Sequence, residues 1–117
     1  MKLLKYKNIK VYKNGIQYDS KKEAKRSYEL DLMQKAGLIK ELERQKRFEL
    51  QPSFKDNLGV THRKIEYICD FFYYDVKNKY YVAEDVKSIA TQKDKVYRIK
   101  SKMFMYQYPN IVFKEVI

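Results

Sequence analysis

The stretch that decides the fold is Tyr67-Ile-Cys-Asp70-Phe-Phe72, followed by Val82-Ala-Glu-Asp85-Val-Lys87. Asp70 closes one apolar run, and an Asp-x-Lys sits at the end of the next, fifteen residues on. Side chains alternate faces along a strand, so Asp85 and Lys87 point the same way. The polar segment Asp75-Val-Lys-Asn-Lys79 between the runs, with Asn78 as a turn former, predicts a hairpin. A two-residue turn at Lys77-Asn78 and a four-residue loop over Val76–Lys79 give the same register. Both set Tyr74 opposite Tyr81, Phe72 opposite Ala83 and Asp70 opposite Asp85. Opposed side chains share a face with Cβ atoms roughly 4.5–5.5 Å apart, and like charges so placed destabilise a sheet. A hard cation between them removes the conflict, as at Mg2+ sites that work on phosphoryl groups. The competing reading makes each Asp a strand end and Lys87 a surface cation. Three residues agreeing on one face favour the site. Glu84 falls on the other face and is the poorer ligand.

A chain of 117 residues, 44% hydrophobic and with 12 Tyr and 6 Phe, suits one folded domain with a modest core. The net charge of +11 implies a polyanionic partner, nucleic acid rather than membrane. No apolar run approaches the ~20 residues of a spanning helix, and no basic amphipathic helix is clean enough for surface insertion. Met1-Lys-Leu-Leu-Lys5 lacks the apolar core of a secretory signal, so a cytoplasmic location is expected. One cysteine excludes an intramolecular disulfide and, with one histidine, a structural zinc site. Alternation sets Cys69 with Tyr67 and Phe71 on the face away from Asp70, which makes it a core residue. His62 lies in a polar loop with no acidic or hydroxyl neighbour at useful spacing, and reads as solvated or phosphate-contacting.

Outward from the two strands, Asn14-Gly15 between short alternating runs predicts an N-terminal hairpin over residues 9–18. Ser20 and Glu23 have capping-box spacing and open a helix that stops at Gly37. Its apolar positions Ala24, Tyr28, Leu30, Leu32, Met33 and Ala36 cover more than half the wheel, which predicts packing against more than one neighbour. Arg47–Gln51 is strand-like, Pro52 closes it, and residues 52–62 read as a polar loop. Lys93–Gln107 reads as a second helix with Val96, Ile99, Met103, Phe104 and Tyr106 on its inner face, and Ile111–Ile117 as a last strand. The fold class is therefore α/β (α+β): a hairpin extension over 1–19, then a core over 20–117 running helix, three strands, helix, strand around a central mixed sheet.

That order, with Asp on the second core strand and Asp-x-Lys on the third, resembles the restriction-endonuclease-like core of the PD-(D/E)XK nuclease superfamily. Tyr18–Val116 also resembles a family of short phage and prophage proteins placed within it. The matching segments are Tyr-Asp-Ser-Lys-Lys-Glu-Ala, Gly-Leu-Ile-Lys-Glu-Leu-Glu-Arg-Gln, Arg-Phe-Glu-Leu-Gln-Pro, Tyr-Ile-Cys-Asp-Phe and Glu-Asp-Val-Lys. The resemblance implies a nuclease in a bacterial host, with Mg2+ or Mn2+ held by Asp70, Asp85 and the helix acid Glu23. Lys87 would orient the attacking water and offset charge. Cys69 stands where the superfamily commonly carries proline.

Glu23 has a second reading as the capping-box partner of Ser20, and Glu29 is a rival helix acid nearer the middle of the apolar arc. Lys100 reads as a phosphate contact or a snorkelling side chain. Gln45 falls where the resembling proteins carry a glutamine and has no assigned role. The expected activity is metal-dependent hydrolysis of DNA phosphodiesters in recombination, repair or processing. Lys21, Lys22, Lys25 and Arg26, together with Lys93, Lys95, Arg98 and Lys102, would grip the backbone without reading bases. A branched substrate would require a homodimer for paired cuts. The alternative is a non-catalytic nucleic-acid-binding or protein-interaction module on the same fold.

Overall fold

A computed structural model describes residues 11–13, 16–18 and 20–117. β1 (Val11–Lys13) and β2 (Ile16–Tyr18) pair antiparallel with Lys13 opposite Ile16, as the expected two-residue connection requires. Residues 1–10, the Asn14-Gly15 turn and Asp19 lie outside the described residues. α1 (Lys21–Lys35) starts at Ser20, whose Oγ accepts the Glu23 N–H at 3.1 Å. It ends where Gly37 takes φ +80°, a conformation that favours glycine. α1 buries only Glu23, Ala24, Ser27 and Leu30, while Tyr28 and Leu32 are exposed. The helix nevertheless meets more than one neighbour, as its broad apolar arc predicts: β3 and β7 of the central sheet, and the β1–β2 hairpin.

The central sheet has the order β3-β6-β7-β8. β3 (Ile39–Gln51), β6 (Ile65–Asp75) and β7 (Tyr80–Val86) form antiparallel pairs, and β8 (Ile111–Val116) runs parallel to β7. β3 is far longer than the strand expected over Arg47–Gln51. Bulges near Glu41 and Leu50 hide its period, each adding one residue against β6. The expected polar loop contains a small ribbon, β4 (Phe54–Lys55) with β5 (Thr61–His62). The hairpin register is as read: Phe72 faces Ala83, Tyr74 faces Tyr81, and Asp75 pairs with Tyr80 across a four-residue loop. Asp75 closes that loop by accepting both the N–H and the side-chain amide of Asn78.

After β7 come α2 (Ile89–Gln92), capped by Ser88, and α3 (Lys95–Gln107), capped by Asp94. α3 covers a core of Phe48, Leu50, Tyr67, Cys69, Phe72, Ala83 and Phe104. The opposite face carries Leu30, Ile39, Phe71, Tyr73 and Val82 against α1. The expected inner face of α3 is corrected: Phe104 is fully buried, but Val96 (60%), Ile99 (59%) and Tyr106 (85%) are exposed. Phe104 packs its ring 4.8 Å from Phe48 and 4.9 Å from Tyr67. That aromatic contact turns the helix so that Tyr97, Met103 and Tyr108, rather than the aliphatic line, flank the core.

One irregularity reorganises the sheet. Residues two apart on a strand share a face, yet Arg44 reaches Ser27 and Asp31 on α1, whereas Lys46 lies over the rings of Phe48 and Phe72 on the α3 side. On β6, Cys69 belongs to the α3 core and Phe71 to the α1 core. Both strands thus change faces at one place, between the pairs Arg44–Phe71 and Lys46–Cys69. The two residues left in that gap are Gln45, with φ +54°, and Asp70.

Candidate active site

Asp70 and Asp85 come together, but not as a simple ladder pair. The antiparallel pairing of β6 with β7 ends at Phe71–Glu84, one step short of them. Beyond that point β7 continues beside β8, and the Asp70 carboxylate takes the place of a main-chain acceptor by receiving the Val86 N–H at 2.8 Å. Asp70 is half-buried, whereas Asp85 is 1% exposed and receives a short hydrogen bond from the Tyr67 hydroxyl. Burial, and next the charge of Asp70, push the Asp85 carboxyl up to about 7. Burial also raises Asp70, against the opposing pull of the Val86 N–H and of Lys87. Both carboxyls keep their protons to higher pH than isolated carboxylates do, first because burial disfavours the charged form.

Lys87 is on the same side as Asp85, as alternation requires. Its Nζ lies 4.0 Å from Asp85 Oδ1 and 4.5 Å from the centre of the Tyr97 ring. Tyr97 belongs to α3 and donates its hydroxyl to Glu115, which also receives the Gln92 amide at 3.1 Å. The lysine is therefore held between a carboxylate and an aromatic face. Neither Tyr67 nor Tyr97 was singled out from the sequence, since a tyrosine in an apolar run looks the same whether its hydroxyl is used or not.

Glu23 is buried on the first turn of α1. Its Oε2 is 3.3 Å from Gln45 Nε2, and the same nitrogen is 3.4 Å from Asp70 Oδ1. Glu29, the rival helix acid, instead pairs with Arg26 at the surface, its side chain 44% exposed. Glu84 is fully buried on the α1 face, gripped by Arg26 (Nε 2.5 Å, Nη2 3.0 Å) and by the Tyr73 hydroxyl at 2.6 Å. That bond holds the guanidinium in its charged form and removes Arg26 from the cluster expected to grip a nucleic-acid backbone. Lys21, Lys22 and Lys25, like Lys93, Lys95, Arg98 and Lys102, are exposed, while Lys100 is half-buried.

Two further expectations change. Cys69 is fully buried, with its thiol pushed up to about 12 by burial. The strand kink, however, puts it on the α3 face with Tyr67, the residue that bonds Asp85, and not with Phe71. His62 does have an acidic neighbour, because the β4–β5 ribbon brings Asp56 Oδ2 to 2.9 Å of its Nε2 and stacks Phe54 on the ring. No described helix is long and apolar enough to cross a membrane, and Cys69 is in no disulfide.

Among the described residues no three His, Cys, Asp or Glu side chains stand close enough to cage an ion. The donor set still suits a hard divalent cation: Asp70 and Asp85 supply oxygens from adjacent strands, and Glu23 is joined to Asp70 through one amide. Mg2+ in particular keeps most of its waters and needs few carboxylates. The chain belongs to the family described as Protein of unknown function (DUF1064), whose model matches residues 3–117. No curated protein and no solved structure matches it.

Proposed function

We propose that this protein is a divalent-metal-dependent DNA endonuclease of the PD-(D/E)XK kind. The observation that carries the reading is the Asp70–Asp85 pair, two neighbouring carboxylates with raised proton affinity and a lysine 4.0 Å away. Asp70 and Asp85 would hold Mg2+ or Mn2+, with Glu23 completing the site directly or through water. A cation bound there supplies Lewis-acid polarisation of the phosphate and an acidified water.

The protein's own groups do the rest. Tyr67 fixes one oxygen of Asp85, and the Val86 N–H fixes one oxygen of Asp70, so the carboxylates are aimed before substrate arrives. Lys87, steadied by Tyr97, orients the attacking water and offsets charge that develops on the phosphate. Exposed lysines on α1 and α3 hold the backbone of a DNA partner through salt-dependent contacts that carry no sequence information. The polyanion-seeking charge of +11 supports that partner. We place the activity in phage or prophage DNA recombination, repair or processing in the bacterial cytoplasm; were the substrate branched, paired cuts would require a homodimer.

The test is incubation of the purified protein with duplex, single-stranded, flap and four-way-junction DNA in Mg2+ and in Mn2+. Cleavage should require metal and vanish in Asp85→Ala while DNA binding persists. Undiminished cleavage by Asp85→Ala would sink the assignment. Salt-sensitive binding without cleavage, indifferent to EDTA, would assign the fold to a non-catalytic module instead.

A further inference from the structure

Gln45 combines two observations that no secondary-structure role explains. It is a non-glycine residue at φ +54° in the interior of a strand, a conformation that costs free energy unless its surroundings require it. Its side chain is also the link between Glu23 on α1 and Asp70 on β6, at 3.3 and 3.4 Å. A carboxamide nitrogen has two hydrogens and no charge. It can donate one to each acid and hold two like charges at a common distance without cancelling either, as a lysine there would. Both distances lie just beyond the roughly 2.7–3.2 Å usual for an N–H···O bond, so the cradle is looser than a closed hydrogen-bonded pair.

The backbone explains why the amide is there. At a regular strand position Gln45 would continue the alternation of Arg44 and Lys46. The left-handed turn lets β3 change faces, and the partner strand changes faces at Asp70 opposite it. This gap in the ladder frees both side chains from the two packed cores and sets them at the seam between them. Gln45 is exposed, so no demand of core packing pins it there. Glu41, also on β3 and at φ +60°, is a useful contrast. It lies at an ordinary bulge and accepts a hydrogen bond from the Tyr81 hydroxyl at 3.1 Å, away from the acids.

We propose that Gln45 is a positioning residue of the site, its strained backbone aiming a neutral amide that gathers Glu23 and Asp70 around one divalent cation. This inference rests on the metal-dependent reading above and adds to it a residue with a defined job. It implies that Gln45 sets the affinity for the ion, whereas Lys87 acts on the reaction.

The experiment measures Mn2+ affinity by isothermal titration calorimetry, and Tm, for the wild type, Gln45→Gly, Gln45→Met and Glu41→Gly. Glycine relieves the backbone at either position, whereas methionine keeps the strain and the length of Gln45 but removes the amide. Both Gln45 variants should bind Mn2+ about tenfold or more weakly, the usual cost of removing a group that orients a ligand. Gln45→Gly should melt no lower than the wild type, since the glycine accepts the left-handed conformation freely. Glu41→Gly should bind Mn2+ like the wild type. Wild-type affinity in Gln45→Met overturns the inference while leaving the metal site standing. A wild type that takes up no Mn2+ overturns the metal site, and this inference with it.

Discussion

Replacing Asp85 by Asn tests the central electrostatic claim, that burial, and next the charge of Asp70, oppose an ionised Asp85 in the fold until a cation arrives. Asn keeps the shape of the side chain and an oxygen to accept the Tyr67 hydroxyl, but it cannot ionise. The Asp85 carboxyl moves from an ordinary 3.8 to about 7 on folding, a rise of about three units. At 1.36 kcal/mol per unit, holding it ionised inside the fold costs about 4 kcal/mol at pH 8. Between about pH 4 and pH 7 the folded protein binds a proton that the unfolded chain has released. Metal-free stability must therefore fall as pH rises through that window and level off above it, as far as Asp85 contributes. Asp85→Asn lacks this contribution. It should equal the wild type to within about 1 kcal/mol near pH 4 and exceed it by about 2–4 kcal/mol at pH 8.

Urea denaturation of both proteins in EDTA across pH 4–8 measures the difference directly. Subtracting the two curves isolates Asp85, together with the change its loss makes in neighbouring Asp70, from the remaining carboxylates. Mn2+ then supplies the second arm: at 100 times its dissociation constant it should stabilise the wild type by about 2.7 kcal/mol and leave Asp85→Asn unmoved. An Asp85→Asn protein less stable than the wild type at pH 8 would refute the reasoning, because the carboxylate would then be satisfied by the protein alone.

Other perturbations separate chemistry from scaffold. Lys87→Met should lower cleavage about 100-fold or more yet keep the Mn2+ stabilisation, as read by melting with and without the ion. Arg26→Met strands the fully buried Glu84 and should cost about 3–5 kcal/mol in urea denaturation; a loss under about 1 kcal/mol would mean that Tyr73 alone satisfies it. Phe104→Ala removes the ring that meets Phe48, Tyr67 and Tyr108 and should cost about 3–5 kcal/mol. Native Cys69, buried and with its thiol pushed up to about 12, should ignore a thiol reagent at pH 8 and react fully once the chain is unfolded.

Period and turn chemistry made most of the fold legible. Ser20 and Gly37 bound α1 because capping and a left-handed stop are local effects, and Asn78 pins the β6–β7 hairpin for the same reason. The inner face of α3 was not legible: Val96, Ile99 and Tyr106 fit a helical stripe as well as Tyr97 and Phe104 do. Only the ring contacts of Phe104 with β3 and β6 decide between them. β3 escaped because two bulges break a 13-residue strand into pieces too short to show alternation.

At the site, the neighbours and the faces of β7 were legible, and the faces of β3 and β6 were not. Counting back from the turn brings Asp70 and Asp85 side by side, because register propagates through hydrogen-bonded pairs whatever each side chain does. Alternation, by contrast, assumes every residue keeps extended dihedrals, and Gln45 does not. The residue that breaks the rule is the one whose amide spans Glu23 and Asp70, and Asp70 itself lies opposite it in the broken ladder. A regular strand would have committed Asp70 to one packed layer, with α1 or α3 above it. At the break it meets Gln45, and through that amide Glu23, on one side, and the Val86 N–H and the charge of Lys87 on the other. The irregular pair is thus the structural condition for a site drawing on both helices.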